Sequence, residues 1–151
     1  MKLSISPIMI LFCIFTNMGA SWQNKAIILE RVVEYIQAKD QAWNLNRKED
    51  INNGRVFHWQ SGKQRVDVSI IILASSEEAK AYLYNKIIQV PVPYKSKIEN
   101  LGDEAVLYQS EGTTRSMLLM RRGTIFIQVN ADEFTQVKKF AEYVISLADS
   151  L

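Results

Sequence analysis

His58 is the single histidine of a 151-residue chain. Any imidazole general-base chemistry near neutral pH must therefore run through it. It lies in the stretch Arg55 to Gln60, between Phe57 and Trp59, and shares an alternating face with Val56 and Gln60. No serine or aspartate motif is tied to it, and no nucleophile-elbow sequence occurs anywhere, so it reads as an ordinary strand histidine. One imidazole also excludes zinc sites built from two or more histidines. Two other charged pairs are candidates. Asp103-Glu104 could do acid–base work, but neighbours on an extended chain point to opposite faces, and the preceding Leu101-Gly102 suits a turn. Arg121-Arg122 could contact a phosphate, although two charges at a hairpin tip ordinarily serve solubility. Trp43, Trp59, Tyr82, Tyr84, Tyr94 and Tyr108 are enough aromatics to line a pocket, with core packing as the default. No catalytic residue and no metal ligand is assigned, the binding residues are unknown, and no cofactor is expected.

The N-terminus narrows the setting in which any site would work. Lys2 is followed by an apolar run from Ile8 to Phe15 and then by Gly19-Ala20. That order is the layout of a secretory signal peptide, and the run is too short to span a bilayer. The expected organisation is a signal over residues 1–20 and one globular domain over 21–151, working in the periplasm or outside the cell, with no stable membrane insertion after cleavage. The only cysteine, Cys13, falls inside the signal. The mature chain would have no disulfide, thiolate metal site or cysteine nucleophile. Phe12 before Cys13 argues against lipidation. The chain carries a net charge of +2, of which the signal holds Lys2 alone, so no strong field steers it to nucleic acid.

The elements that must position these residues follow from periodicity. Asn24 to Ala38 repeats Ile28, Val32, Tyr35 and Ile36 at helical spacing. Lys39 to Asn53 is polar and irregular, closing on an Asn53-Gly54 turn. Arg55 to Gln60 and Gln64 to Leu73 form a hairpin, the second strand alternating Val66, Val68, Ile70 and Ile72 with Arg65, Asp67 and Ser69. Ser75 and Glu78 spell a capping box for a helix carrying Ala79, Tyr82, Leu83 and Ile87, and Val90-Pro91-Val92-Pro93 must leave it extended. Ala105 to Gln109 is a strand, and Thr114 to Arg121 with Thr124 to Asn130 makes a second hairpin. A final helix from about Ala131 to Leu151 starts at Asn130 with Glu133 three residues on. Its stripe is Phe134, Val137, Ala141, Val144, Ile145 and Ala148, widened by Phe140 and Leu147. The order predicts an α+β domain: a mostly antiparallel sheet of about five strands from two hairpin units, packed by two to three helices. His58-Trp59-Gln60-Ser61-Gly62 and Leu107-Tyr108-Gln109-Ser110-Glu111-Gly112 raise the possibility of an internal repeat.

Leu101-Gly102-Asp103-Glu104-Ala105, the strand Met117 to Gly123, Ile125-Phe126-Ile127-Gln128-Val129 and the closing amphipathic helix together resemble small exported bacterial α+β domains. These include uncharacterised secreted proteins and lipoproteins, and domains of the PsbP/Mog-like and kinase-sensor types. The resemblance covers about the last third of the chain and carries no catalytic residue. It implies a bacterial, extracytoplasmic, non-enzymatic domain. Three functions follow as expectations: a binding or accessory module for a ligand or protein partner, a small hydrolase built on His58, or an inhibitor or immunity protein for another exported protein.

Overall fold

Val66, Val68, Ile70 and Ile72 do point one way, and the strand that carries them is central to one seven-stranded sheet. The computed structural model describes residues 26–92, 96–109 and 112–151. The expected signal, Cys13 and Tyr94 lie outside them. The first helix, α1, covers 26–39. Strands β1 (Asn44–Ile51), β2 (Gly54–Ser61) and β3 (Gln64–Ile72) follow, then helix α2 (Ser76–Gln89). Strands β4 (Ser96–Lys97), β5 (Glu104–Gln109), β6 (Ser116–Arg122) and β7 (Ile125–Ala131) lead to helix α3 (Phe134–Asp149). The strand order is β1-β2-β3-β7-β6-β5-β4, and every neighbouring pair is antiparallel.

The expectation of about five strands is thus overturned: among the described residues the sheet has seven, with three helices around it. Strand β1 falls in the stretch read as irregular. As an edge strand it is exposed along most of its length, so Arg47, Lys48, Glu49 and Asp50 replace an apolar alternation, and backbone pairing with β2 alone defines it. Charge on an edge also discourages pairing with another chain. At the other edge, β4 is two residues long, too short to leave a periodic signature.

Two helices share one face. Ile28, Val32 and Ile36 of α1, one turn apart, pack with Val137, Phe140, Ala141 and Val144 of α3 over Phe57, Trp59, Val68, Ile70, Ile127 and Val129. Phe140 is the centre, its ring 5.1 Å from Trp43 and 5.9 Å from Trp59. The α3 stripe is rotated slightly from the expected one: Phe134 is exposed, Ile145 and Ala148 are only partly buried, and Phe140 and Leu147 are fully inside. Helix α3 begins at Phe134, and its N-cap Glu133 makes no side-chain capping bond.

Helix α2 lies on the opposite face. Ser75 Oγ accepts the Glu78 backbone N–H at 3.1 Å, and Glu78 reaches back to accept the Ala74 N–H at 2.9 Å, so the capping box forms one residue wide of its usual reciprocal bond. Ala79 and Leu83 pack on Val106, Tyr108, Leu119, Phe126 and Ile71. Because α2 contacts β6 and β7 rather than β1 and β2, it covers only part of this face. The placement also argues against an internal repeat. A two-fold relating the antiparallel neighbours β3 and β7 would keep each half's helix on the same face, whereas α2 and α3 lie on opposite ones.

Candidate functional site

Directly opposed residues in an antiparallel sheet share a face, so the register fixes which side chains form a row. On the α2 side one row reads Arg47, His58, Asp67, Asn130, Met117, Tyr108, from β1 across β2, β3, β7 and β6 to β5. A local irregularity between Leu45 and Arg47 brings Arg47 into line. The next row is Glu49, Val56, Ser69, Gln128, Leu119, Val106. The β1–β3 end of both rows is largely polar, and no helix among the described residues covers it. The β5–β6 end runs beneath α2.

At the crossover lies a cleft of about 460 Å³. Asp67, Asn130, Met117 and Tyr108 from the first row line it, with Arg65, Arg115 and Asp132 beside them and Val90 and Val92, just past the end of α2, as an apolar wall. Val90, the C-cap of α2, is already extended, with φ −75° and ψ 122°, as expected ahead of Pro91. Asp132 is occupied: it accepts the Arg65 backbone N–H at 3.2 Å and stands 3.7 Å from the Arg115 guanidinium.

His58 adjoins this cleft through Asp67. Its Nδ1 is 2.6 Å from Asp67 Oδ1, and its Nε2 is 3.2 Å from Glu49 Oε1. Glu49 is also paired with Arg47. The imidazole is therefore wedged between carboxylates of the two flanking strands. Both ring nitrogens are engaged, and neither partner is a hydroxyl, so the histidine is not poised to activate a serine. The carboxylates sit on opposite sides of the ring, which does not converge on a metal. Among the described residues no group of three or more His, Cys, Asp or Glu side chains could hold one.

The Asp103-Glu104 and Arg121-Arg122 pairs come together elsewhere. Arg121 donates to Glu104 at 2.8 and 3.1 Å and to Asp103 at 3.1 Å. Asp103 also accepts from Arg122 at 3.2 Å, and Arg122 reaches Asp149 of α3 at 2.9 Å. The arginine side chain at 121 is only 12% exposed, so a solubility role at a hairpin tip is wrong for it. The Arg121 guanidinium, ahead of the opposing effect of burial, holds the Glu104 carboxyl below its ordinary value. Glu104 in turn raises the Tyr84 phenol. Tyr84, Asp103 and Glu104 line a second cleft, of about 510 Å³, but both carboxylates are already engaged by the arginines.

Among the aromatics, Trp43 and Trp59 are core residues under α3, and Tyr82 packs against Phe126 under α2. Tyr84 and Tyr108 border different clefts. Among the described residues the candidate aromatics therefore do not form one wall.

No family model matches the chain, and no curated protein matches it. Its structure is similar to that of a protein described as a GTP binding regulator from Thermotoga maritima. The two superpose with a TM-score of 0.55 at 15% identity, over 77% of this chain and 83% of that one. Identity that low speaks to the fold alone. It fits a small α+β domain with an antiparallel sheet and carries no site residue across.

Of the cleft residues, the sequence had singled out Tyr108 alone as a candidate. Arg65, Asp67, Asn130 and Met117 were missed because they come from three strands. The polar set of the β3 alternation, Arg65, Asp67 and Ser69, was the one visible signal of an uncovered sheet face.

Proposed function

We propose that the protein is an exported, non-enzymatic binding domain whose ligand or partner enters the cleft beside α2. The observation that carries this reading is the incomplete cover of one sheet face, which leaves a mixed polar and apolar cleft continuous with a polar row. Binding rather than catalysis is supported by His58, whose two nitrogens are both held by carboxylates. Export is supported by Lys2, the apolar run Ile8 to Phe15 and Gly19-Ala20, and by the resemblance of the C-terminal third to exported bacterial domains. No described helix is long and apolar enough to cross a membrane.

A fragment library screened by amide chemical shifts tests the binding reading. Hits should converge on Asn130, Met117 and Tyr108. Hits scattered over α1 and α3, with this cleft silent, would refute it. Intact-mass measurement on protein from the native host tests export, and a mature product retaining Met1 and Lys2 would refute that part.

A second reading, an inhibitor or immunity protein, has one observation in its favour. Tyr84, Ile88 and Val92 are 46%, 80% and 52% exposed along and just beyond α2. Co-purification of a single exported partner, lost in Ile88→Glu but kept when the cleft is altered, would favour it.

A further inference from the structure

We infer that the cleft takes a small amphiphile with an anionic head group, and holds it more tightly when His58 is protonated. This rests on the binding reading above and adds the ligand's chemistry and its control.

The charges at the cleft are Arg65, Arg115, Asp67 and Asp132. Arg115 and Asp132 oppose each other. Among the described residues, no carboxylate pairs with the Arg65 guanidinium. With Arg115 and Asp132 set against each other, Asp67, two residues along the same strand face, is the remaining negative charge of the cleft, and it is also the partner of His58 at 2.6 Å. The groups facing the imidazole are Asp67 and, two residues along the strand, Arg65 from β3. From β1, Arg47 stands directly opposite His58 in the register and is neutralised by its pairing with Glu49, whose carboxylate also faces the ring. Its own strand places neutral Val56 and Gln60 alongside, and β7 contributes neutral Asn130.

A neutral imidazole has one N–H and can donate to one carboxylate; an imidazolium donates to both. The wedge between Asp67 and Glu49 is therefore complete only in the protonated form. In that form the ring's charge cancels that of Asp67, and Arg65 is left as the net charge at the cleft. Loss of the proton restores the Asp67 charge, and the attraction for an anion falls. Val90, Val92 and Met117 give the apolar part of the ligand its surface.

Hexanoate and hexylammonium, equal in chain length and opposite in charge, are the probes. Amide shifts of the full chain are followed at about pH 5.5 and about pH 8. Hexanoate stays largely ionised at both, as an ordinary carboxylate does. Hexanoate should shift Asn130, Met117 and Tyr108 with a several-fold higher affinity at the lower pH, and hexylammonium should not. His58→Gln should flatten the pH dependence, and Arg65→Gln should weaken hexanoate at both pH values. Equal binding of the two probes, or the parent pH profile in His58→Gln, overturns the inference and leaves the binding reading standing. Silence of every cleft amide toward hexanoate also overturns it, and the fragment screen then decides separately whether the cleft binds anything.

Discussion

Asp103 Oδ2 accepts the backbone N–H of Gly123 at 2.8 Å. One carboxylate before β5 thereby pins the turn between β6 and β7, while its two oxygens also hold Arg121 and Arg122. The Leu-Gly-Asp-Glu-Ala stretch is thus a structural clasp. Gly102 belongs to it because its φ is +65° and a Cβ there would stand 2.5 Å from the Arg121 carbonyl oxygen.

Breaking the clasp should cost stability and spare the cleft. Asp103→Ala should lower the unfolding free energy by about 1–3 kcal/mol, because the Gly123 N–H and two guanidinium groups lose their acceptor. Gly102→Ala should cost at least as much, since strain of about 1–3 kcal/mol adds to the backbone clash. Urea melts measure both. Amide shifts at Asn130 and Met117 should stay at their parent positions.

The α3 interface ranks its residues by burial. Phe140, wholly buried between Trp43 and Trp59, should cost about 3–5 kcal/mol as Phe140→Ala. Val144→Ala should cost about 1–3 kcal/mol. Ile145 is the larger residue but only partly buried, so Ile145→Ala should cost less than its size suggests. Lys138 and Glu142 form an exposed i,i+4 pair, and truncating either should change stability by less than about 0.5 kcal/mol. Equal losses from Phe140→Ala and Lys138→Ala in denaturant melts would contradict this packing.

Acid should weaken the fold through two carboxylates. Arg121 holds Glu104 below its ordinary value, and the Lys139 ammonium does the same for Asp40, in each case against the opposing effect of burial. Both are depressed in the fold, so their contribution is complete above the usual carboxylate range and is lost as pH falls through it, below about pH 4. Melting temperature against pH should drop there, and Glu104→Gln should flatten part of the drop.

The same Asp40–Lys139 pair acts in reverse at the alkaline end. Asp40 raises the Lys139 ammonium above its ordinary value. Its contribution is complete below about pH 10 and lost as pH rises beyond that. Lys139→Met should flatten part of the alkaline fall in the pH–stability curve, leaving the share of Tyr84, which Glu104 also raises, in place.

The elements with periodic cores are legible along the chain. The alternation in β3, the capping serine of α2 and the α3 stripe are local patterns, because each residue's face follows from its neighbours a few positions away. The polar face of β3, Arg65, Asp67 and Ser69, is legible in the same way. Strand β1 is not, because an edge strand built from Arg47, Lys48, Glu49 and Asp50 is defined by hydrogen bonds to β2 and not by apolar spacing. That α2 covers part of a face, and that Asp67, Asn130, Met117 and Tyr108 stand in one row, follows from long-range packing and strand pairing. Those residues come from four strands, and the pairing of β3 with β7, distant in sequence, sets their register. A site assembled by register leaves no local spacing to read, since a shift of one residue in any pairing would send that strand's contribution to the other face.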